Sequence, residues 1–412
     1  MEKRINPGTV GGRVRIPASK SLCHRAVMAD MLSGGDGQVK GIYLSEDITA
    51  TLEAMQVLLK AARKTQEESP EASEPVIVDC HESGSTLRFL VPLASALGVK
   101  ATFTGHGRLP ERPMGPYYEI FDRQELSYET SDGKLPLIIR GRLTSGEFEI
   151  DGGISSQFVT GLLMALPLLD GDSVVRVRGK LESRPYVDMT IDVMDKYDVK
   201  VKEPEENVFE IKGGQAYQPC DYEVEGDWSQ AAFMITAAGC AGREEGLLLE
   251  GLHQETKQGD AAILTAFEAL GGEYRWEKEG LRVFRSKLKG DLTWSAQDTP
   301  DIVPILSVMG VFNHGTLTIT NAARLRLKES DRLLAVWTEL SKAGAGITMQ
   351  EDGLMIHGTG SINGGKVKAW NDHRMAMSLA VLGLGSKDGV TIEEAESVKK
   401  SWPDFFETLG GL

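Results

Sequence analysis

One kind of segment returns six times along this chain: a short polar or charged cluster, then an apolar stretch rich in Ala, Gly and Met. The copies begin at Ser19 (Ser-Lys-Ser-Leu-Cys-His-Arg-Ala-Val-Met), Ser83 (Ser-Gly-Ser-Thr-Leu-Arg-Phe-Leu), Ser155 (Ser-Ser-Gln-Phe-Val-Thr-Gly-Leu-Leu-Met), Trp228 (Trp-Ser-Gln-Ala-Ala-Phe-Met-Ile), Thr299 (Thr-Pro-Asp-Ile-Val-Pro-Ile-Leu) and Asp372 (Asp-His-Arg-Met-Ala-Met-Ser-Leu). Their starts lie 64, 72, 73, 71 and 73 residues apart. A helix that is apolar on nearly every side belongs in an interior. A second, amphipathic helix follows each copy, beginning near Glu46, Pro113, Arg184, Gln258, Glu329 and Pro403. Most of these lead into a strand-turn-strand, as in Gly272-Glu-Tyr-Arg-Trp with Leu281-Arg-Val-Phe, and Gly346-Ile-Thr-Met with Leu354-Met-Ile-His. The period is longer than that of the usual solenoid repeats. It predicts six βαβαββ units. Single cores stop growing at roughly 250–300 residues, so 412 residues predict two similar domains of three units each. The expected fold is α/β, with the apolar helices buried and the sheets and amphipathic helices outside, an inside-out α/β barrel. The alternative is an ordinary α/β protein with chance regularity, which five such similar spacings disfavour. The polar stretch Lys60 to Pro75 predicts a helix end and an exposed loop with no chemical role.

Composition narrows the partners. Lys and Arg number 45 against 60 Asp and Glu, a net charge of −15. An acidic surface argues against general nucleic-acid or membrane binding but leaves room for a local basic pocket. Cys23, Cys80, Cys220 and Cys240 form no Cys-x-x-Cys pair and read as reduced thiols. The N-terminal residues are polar, so no signal peptide is expected. The most apolar stretch, Phe158 to Leu169, is short of the roughly 20 residues a bilayer helix needs. The expected location is the cytoplasm.

The polar clusters fall at the N-termini of buried helices, where unpaired N–H groups and the helix dipole favour anions. Several carry cations: Lys20 and Arg25, Arg88, and Arg374. Others sit at loops or helix starts: Arg112, Arg184, Lys328, Arg332 and Lys400. Singly, each has a bland reading. Ser-Lys-Ser can be a cap beside a solvated lysine, Lys328 and Arg332 can line a solvated face, Glu329 and Asp331 can complement the helix dipole, and Asp372 can be only an N-cap. Their shared register in the repeat points instead to a pocket for phosphate or carboxylate. His24 and His373 have no metal-ligand spacing, so no metal is expected. No Walker loop, G-x-G-x-x-G or G-x-S-x-G occurs.

Taken together, Pro17-Ala-Ser-Lys-Ser with His24-Arg25, Ser83-Gly-Ser-Thr-Leu-Arg, Leu109-Pro-Glu-Arg-Pro-Met, Ser155-Ser-Gln, Ser183-Arg-Pro-Tyr, Asp298-Thr-Pro-Asp, Leu327-Lys-Glu-Ser-Asp-Arg, Asp372-His-Arg-Met-Ala-Met and Lys400-Ser-Trp-Pro-Asp resemble the 3-phosphoshikimate 1-carboxyvinyltransferase (EPSP synthase) family of enolpyruvyl transferases. The resemblance runs from residue 7 to the C-terminus in the family's order. It implies that the chain begins in one domain, builds the other and returns, giving domains of residues 14–225 and of residues 1–13 with 226–412.

The implied reaction moves the enolpyruvyl group of phosphoenolpyruvate to the 5-hydroxyl of shikimate 3-phosphate and releases phosphate. No cofactor is implied, and the expected state is a monomer whose partners are these two small molecules. The resemblance assigns shikimate 3-phosphate to Lys20, Ser21, Arg25, Ser155, Ser156, Gln157, Ser183, Asp301 and Lys328. It assigns phosphoenolpyruvate to Lys20, Gly84, Arg112, Gln157, Arg332, Arg374 and Lys400. Asp301 is the expected base, Glu329 the expected acid toward the methylene carbon, and Lys20 stabilises the phosphate and can share in proton transfer. Site residues from both domains make closure over the anionic substrates an expectation. Glyphosate, which occupies the phosphoenolpyruvate pocket in the family, is expected to inhibit, and Gly84→Ala to raise tolerance. The competing readings are the UDP-N-acetylglucosamine enolpyruvyl transferase, which usually carries a cysteine on the loop corresponding to Thr104 to Gly115, and a catalytically silent scaffold relative. That loop has no cysteine here, and Lys20, Asp301 and Glu329 are all present.

Overall fold

Each of the six apolar segments becomes a buried helix, and each expected amphipathic helix forms within a few residues of its expected start. The computed structural model describes residues 1–67 and 75–412. It opens with strands β1 (Lys3–Ile5) and β2 (Val10–Arg15). Helix α1 (Lys20–Leu32), strand β3 (Val39–Lys40) and helix α2 (Glu46–Glu67) follow. Next come β4 (Val76–Asp79), α3 (Gly84–Ala96), β5 (Ala101–Thr104), α4 (Gly115–Arg123), β6 (Ser127–Ser131) and β7 (Lys134–Arg140). The same sequence of elements returns as β8 (Glu147–Asp151), α5 (Ser156–Ala165), β9 (Ser173–Arg178), α6 (Arg184–Lys196), β10 (Val201–Glu205) and β11 (Val208–Ile211). After β12 (Tyr222–Glu223) come α7 (Trp228–Ala241), β13 (Gly242–Glu250), α8 (Ile263–Ala269), β14 (Glu273–Glu277) and β15 (Gly280–Phe284). Then follow β16 (Leu292–Ser295), α9 (Val303–Phe312), β17 (His314–Thr320), α10 (Arg332–Lys342), β18 (Gly346–Gln350) and β19 (Gly353–Thr359). The last elements are β20 (Gly365–Lys368), α11 (His373–Gly385), β21 (Val390–Glu393) and α12 (Phe405–Gly410). The helix end expected at Lys60 is part of α2; the loop expected beyond it falls largely on residues 68–74, outside the described residues.

The chain divides into two compact units, Lys20–Val224 and Met1–Ser19 with Glu225–Leu412. Each contains two four-stranded sheets of one pattern. The orders are β4-β5-β7-β6 and β8-β9-β11-β10 in the first, β2-β13-β15-β14 and β16-β17-β19-β18 in the second. In every case the first pair is parallel around a buried helix, and the hairpin adds antiparallel strands.

Two of the six repeats depart from the expected βαβαββ form. In one, β12 and β3 pair in parallel over only two residues each. In the other, the third strand beside β20 and β21 is β1, running antiparallel with Lys3 opposite Ile392. No described hairpin follows α2 or α12, so these sheets have fewer strands.

Helices α3, α5, α7, α9 and α11 are buried almost end to end, and α1 over Leu22 to Ala29. Helix α10 instead buries one stripe: Arg332, Leu333, Ala335, Val336, Glu339 and Leu340. The strands alternate, as in β8, where Phe148 and Ile150 face in and their neighbours face water. Helices α7, α9 and α11 pack on one another pairwise, as do α3 and α5. Small residues allow the closest approach. At Gly161 of α5 the Arg88 carbonyl and the Tyr117 hydroxyl lie against the backbone, and that hydroxyl donates to Arg88 O at 2.5 Å. Among the described residues no helix is long and apolar enough to cross a membrane.

Gly161→Ala would drive a methyl group into Tyr117 and the Arg88 carbonyl. Overpacking of this kind costs about 1–3 kcal/mol. Thermal denaturation is expected to show that loss, and an unchanged midpoint would mean that α3 and α5 separate freely.

Candidate active site

Four of the buried helices begin with side chains that cap them. Ser83 Oγ accepts from the Thr86 amide, Ser155 from Gln157, Asp227 from Ser229 and Gln230, and Asp372 from Arg374. Each cap satisfies part of a first turn and leaves other N–H groups available to a ligand. Ser183 differs: it opens α6 from a left-handed conformation, φ +58°, and its side chain makes no cap bond.

In the unit that holds both chain ends, the turns that lead into α9, α10 and α11 bring six charged groups together. Arg332, 1% exposed, donates to Asp301 at 2.7 Å, to Glu329 at 2.8 Å and to Asp372 at 2.8 Å. Arg374 reaches the other oxygen of Asp301 at 3.1 Å and Ser229 Oγ at 3.2 Å. Lys328 Nζ stands 3.7 Å from Asp301. Burial alone would raise the Asp301 carboxyl; Arg374, Lys328 and Arg332 override it and hold the group well below the usual carboxylate range. Burial pulls Lys328 down to about 8, with Asp301 opposing. Arg332 is held charged against burial by Asp372, Glu329 and Asp301. Lys400, 6% exposed, donates to the carbonyl of Asn371 at 2.7 Å, directly before Asp372.

In the Lys20–Val224 unit the links run between first turns. Lys20 pairs with Asp47 at 2.8 Å. Arg25, 2% exposed, donates to Ser21 O at 2.6 Å, Tyr186 O at 2.9 Å, Thr190 Oγ1 at 2.8 Å and Thr160 Oγ1 at 3.3 Å. It therefore ties α1 to α5 and α6. Gln157 accepts from Arg88 at 2.7 Å and donates to Ser85 Oγ at 2.9 Å, which ties α5 to α3. Ser156 is buried beside it. Arg112 lies over Gly84, so that a Cβ at position 84 would run into its guanidinium. A hydroxyl chain, His24 Nδ1 to Thr51 (2.7 Å), Thr51 to Thr86 (2.7 Å) and Thr86 to Ser83 (2.7 Å), joins α1, α2 and α3. Burial, then Lys20 and Arg25, keep His24 neutral well below its ordinary value.

The expected site residues thus fall into two groups, one in each unit. Ser21 contributes a carbonyl to Arg25, and Arg25 itself is engaged by protein on four sides. Arg184, a candidate from the sequence, points elsewhere, pairing with Glu203 and Asp188. Beside Asp372, which the sequence offers as an N-cap, two residues that sequence reading did not single out belong to the Asp301 cluster. Asp372 is the buried partner of Arg332 as well as a cap. Asp227 accepts Ser229 Oγ at 2.5 Å. Asp260, on a 3₁₀ turn, is pushed up to about 7 by burial, then by Asp301 and Asp227. Asp227 could have been found from its register in the repeat; Asp260 carries no such signal. Among the described residues no group of His, Cys, Asp and Glu could hold a metal ion.

The family model for EPSP synthase (3-phosphoshikimate 1-carboxyvinyltransferase) matches residues 5–409. The chain belongs to the EPSP synthase family. Two relatives named 3-phosphoshikimate 1-carboxyvinyltransferase, from Clostridium kluyveri and Clostridium novyi, are 44% and 43% identical, over 99% of this chain and 97% of each relative. Among solved structures, EPSP synthase from Acinetobacter baumannii is 24% identical with a TM-score of 0.78, over 100% of this chain and 98% of that one. The enolpyruvyl transferase NikO from Streptomyces tendae is 15% identical with a TM-score of 0.74, over 100% and 97%. These two share the fold, the mixed α/β architecture described above. Family membership carries a transferase activity, enolpyruvyl transfer in the shikimate pathway.

Lys328 generates a pH prediction. Its ammonium is protonated below about 8 and lost above it. For an EPSP synthase family site that attracts anions with this group, kcat/KM for the phosphorylated acceptor is expected to fall as pH rises through that value. Lys328→Arg keeps the charge and is expected to flatten this limb. An identical alkaline limb in the variant would remove Lys328 from the profile.

Proposed function

We propose that this chain carries out the family reaction with the residues named above, joining phosphoenolpyruvate to the 5-hydroxyl of shikimate 3-phosphate and releasing phosphate, as a cytoplasmic monomer. The observation that carries the reading is Asp301, a half-buried carboxylate within 3.7 Å of Lys328, Arg332 and Arg374. In a chain of net charge −15, three cations converging on one acid suit a pocket for multiply anionic substrates.

The same geometry supports a sequence of steps. Asp301 accepts a hydrogen bond from the acceptor hydroxyl and takes its proton as oxygen attacks the central carbon of the enolpyruvyl group. Before substrate binds, Asp301 is a weak base, because its three cations stabilise its ionised form. Substrate phosphate and carboxylate groups neutralise those cations when they bind, so substrate binding itself makes Asp301 more basic. Glu329 lies 2.8 Å from Arg332; once substrate draws that cation away, its protonated form delivers the proton to the methylene carbon, with Lys20 as a second proton carrier beside the phosphate. Arg112, Arg332, Arg374 and Lys400 hold the phosphate and carboxylate of phosphoenolpyruvate. Their charges stabilise the tetrahedral intermediate. The methyl group then returns a proton to Glu329, phosphate leaves with the proton taken up by Asp301, and addition and elimination are complete. On this reading Arg25 acts largely by locking α1, α5 and α6, since its donors are already engaged.

Phosphate release with shikimate 3-phosphate, and none with UDP-N-acetylglucosamine, is the expected outcome of an acceptor comparison; the reverse would overturn the reading. Asp301→Asn and Glu329→Gln are each expected to lower turnover by roughly 10²–10⁴-fold at saturating substrates, and near-normal turnover in either would remove its role. Gly84→Ala displaces the Arg112 guanidinium, so it is expected to raise both the glyphosate inhibition constant and the KM for phosphoenolpyruvate. Unchanged values for both ligands would place Gly84 outside their pocket.

A further inference from the structure

Strand β20 reaches helix α11 through two consecutive residues in the left-handed region, Trp370 at φ +57° and Asn371 at φ +50°. Neither is glycine. A bulky side chain in this region is a backbone outlier that persists only where its surroundings hold it. Two carboxylates do the holding. Glu339, wholly buried on α10, accepts from Trp370 Nε1 at 2.8 Å through one oxygen and from the Lys368 amide at 3.0 Å through the other. Lys342 closes the same carboxylate from the solvent side at 2.9 Å. Glu394, itself at φ +58°, accepts the Asn371 amide at 2.8 Å.

The backbone fixed in this way presents the Asn371 carbonyl to Lys400 Nζ at 2.7 Å. Glu339 lies seven residues after Arg332, two turns along one face of α10. That face therefore grips the loop at both ends: Arg332 on Asp372, Glu339 on Lys368 and Trp370. The donors that Glu339 satisfies in the loop belong to the segment that places Asp372 and Lys400.

We infer that Glu339 is a positioning residue for Lys400: by holding Trp370 and the Lys368 amide it keeps the Trp370–Asn371 backbone left-handed and fixes the carbonyl that aims the Lys400 ammonium at phosphoenolpyruvate. The inference rests on the proposed role of Lys400 as a phosphoenolpyruvate ligand.

Steady-state kinetics with each substrate varied in turn test it. Trp370→Phe removes the indole donor and keeps a ring. It is expected to raise the KM for phosphoenolpyruvate about tenfold, the order of one lost hydrogen bond to a charged group, while the KM for shikimate 3-phosphate and the thermal midpoint stay near wild type. Adding Asn371→Gly, which adopts the left-handed conformation freely, is expected to recover most of the loss. Glu339→Gln, if folded, gives the same selective effect. An unchanged KM for phosphoenolpyruvate, equal rises for both substrates, or no recovery by glycine would overturn the inference. Lys400→Ala separates the two levels. If it leaves the KM for phosphoenolpyruvate unchanged, the role of Lys400 fails and the inference with it; if it raises that KM and Trp370→Phe does not, the inference fails alone.

Discussion

Arg332 is the group on which the proposed reaction half in the Met1–Ser19 and Glu225–Leu412 unit is built. It is 1% exposed and binds Asp301 before α9, Glu329 before α10 and Asp372 at the start of α11. An isolated guanidinium at that depth would be prohibitive to bury, and removing one partner of such a pair costs about 3–5 kcal/mol. Three carboxylates around one cation leave local negative charge, and Arg374 and Lys328 offset it on Asp301. The cluster is thus close to neutral and tightly coupled. An incoming anion competes with Asp301 for the same cations, which links ligand capture to the proton affinity of the base.

Much of the fold is legible in the sequence because burial leaves a clear signal. The stretch Val303 to Phe312 has no charged residue, and every residue of α9 is buried; the stretch Arg332 to Lys342 alternates, and α10 buries one stripe. The recurrence of that pair at a nearly fixed period predicts six repeats. What it misses is their completeness. Strands β3 and β12, two residues each, are too short for any alternation to register. The pairing of β1 with β21 joins residues nearly the whole chain apart, and no local pattern encodes it. The α8 start also lies later than expected, because Gly259–Ala262 forms a 3₁₀ turn first.

The candidate site is legible to a different degree. Motif resemblance and helix register locate Lys20, Asp301, Lys328, Arg332 and Arg374 without geometry. They do not reveal how those groups are divided between ligand and protein. Arg25 reads as a substrate cation, yet four protein acceptors surround it. Gly84 reads as room for a ligand, yet Arg112 occupies that room. Asp260 and Glu339 escape notice because a buried carboxylate in a turn or an amphipathic helix looks like any surface acid until its neighbours are known.

The pairing of β1 with β21, and of the Gly11 amide with the Leu412 carbonyl at 3.1 Å, has a consequence for how the molecule is made. Chains are released from a ribosome N-terminus first, and domains generally fold as units. The strand partners of Lys20–Val224 all lie within that span, so it can fold while later residues are still being added. The first nineteen residues emerge earlier but must wait, because β1 and β2 pair with strands made much later. Once Lys20–Val224 has folded, Ser19 can meet Glu225, whose carbonyl accepts the Ser19 amide at 2.8 Å. That contact shortens the loop still to be closed and reduces its entropic penalty. The interrupted unit therefore acquires its last strand pairing only after residues 390–393 have been made, and until then β1 is an unpaired edge exposed to other nascent chains.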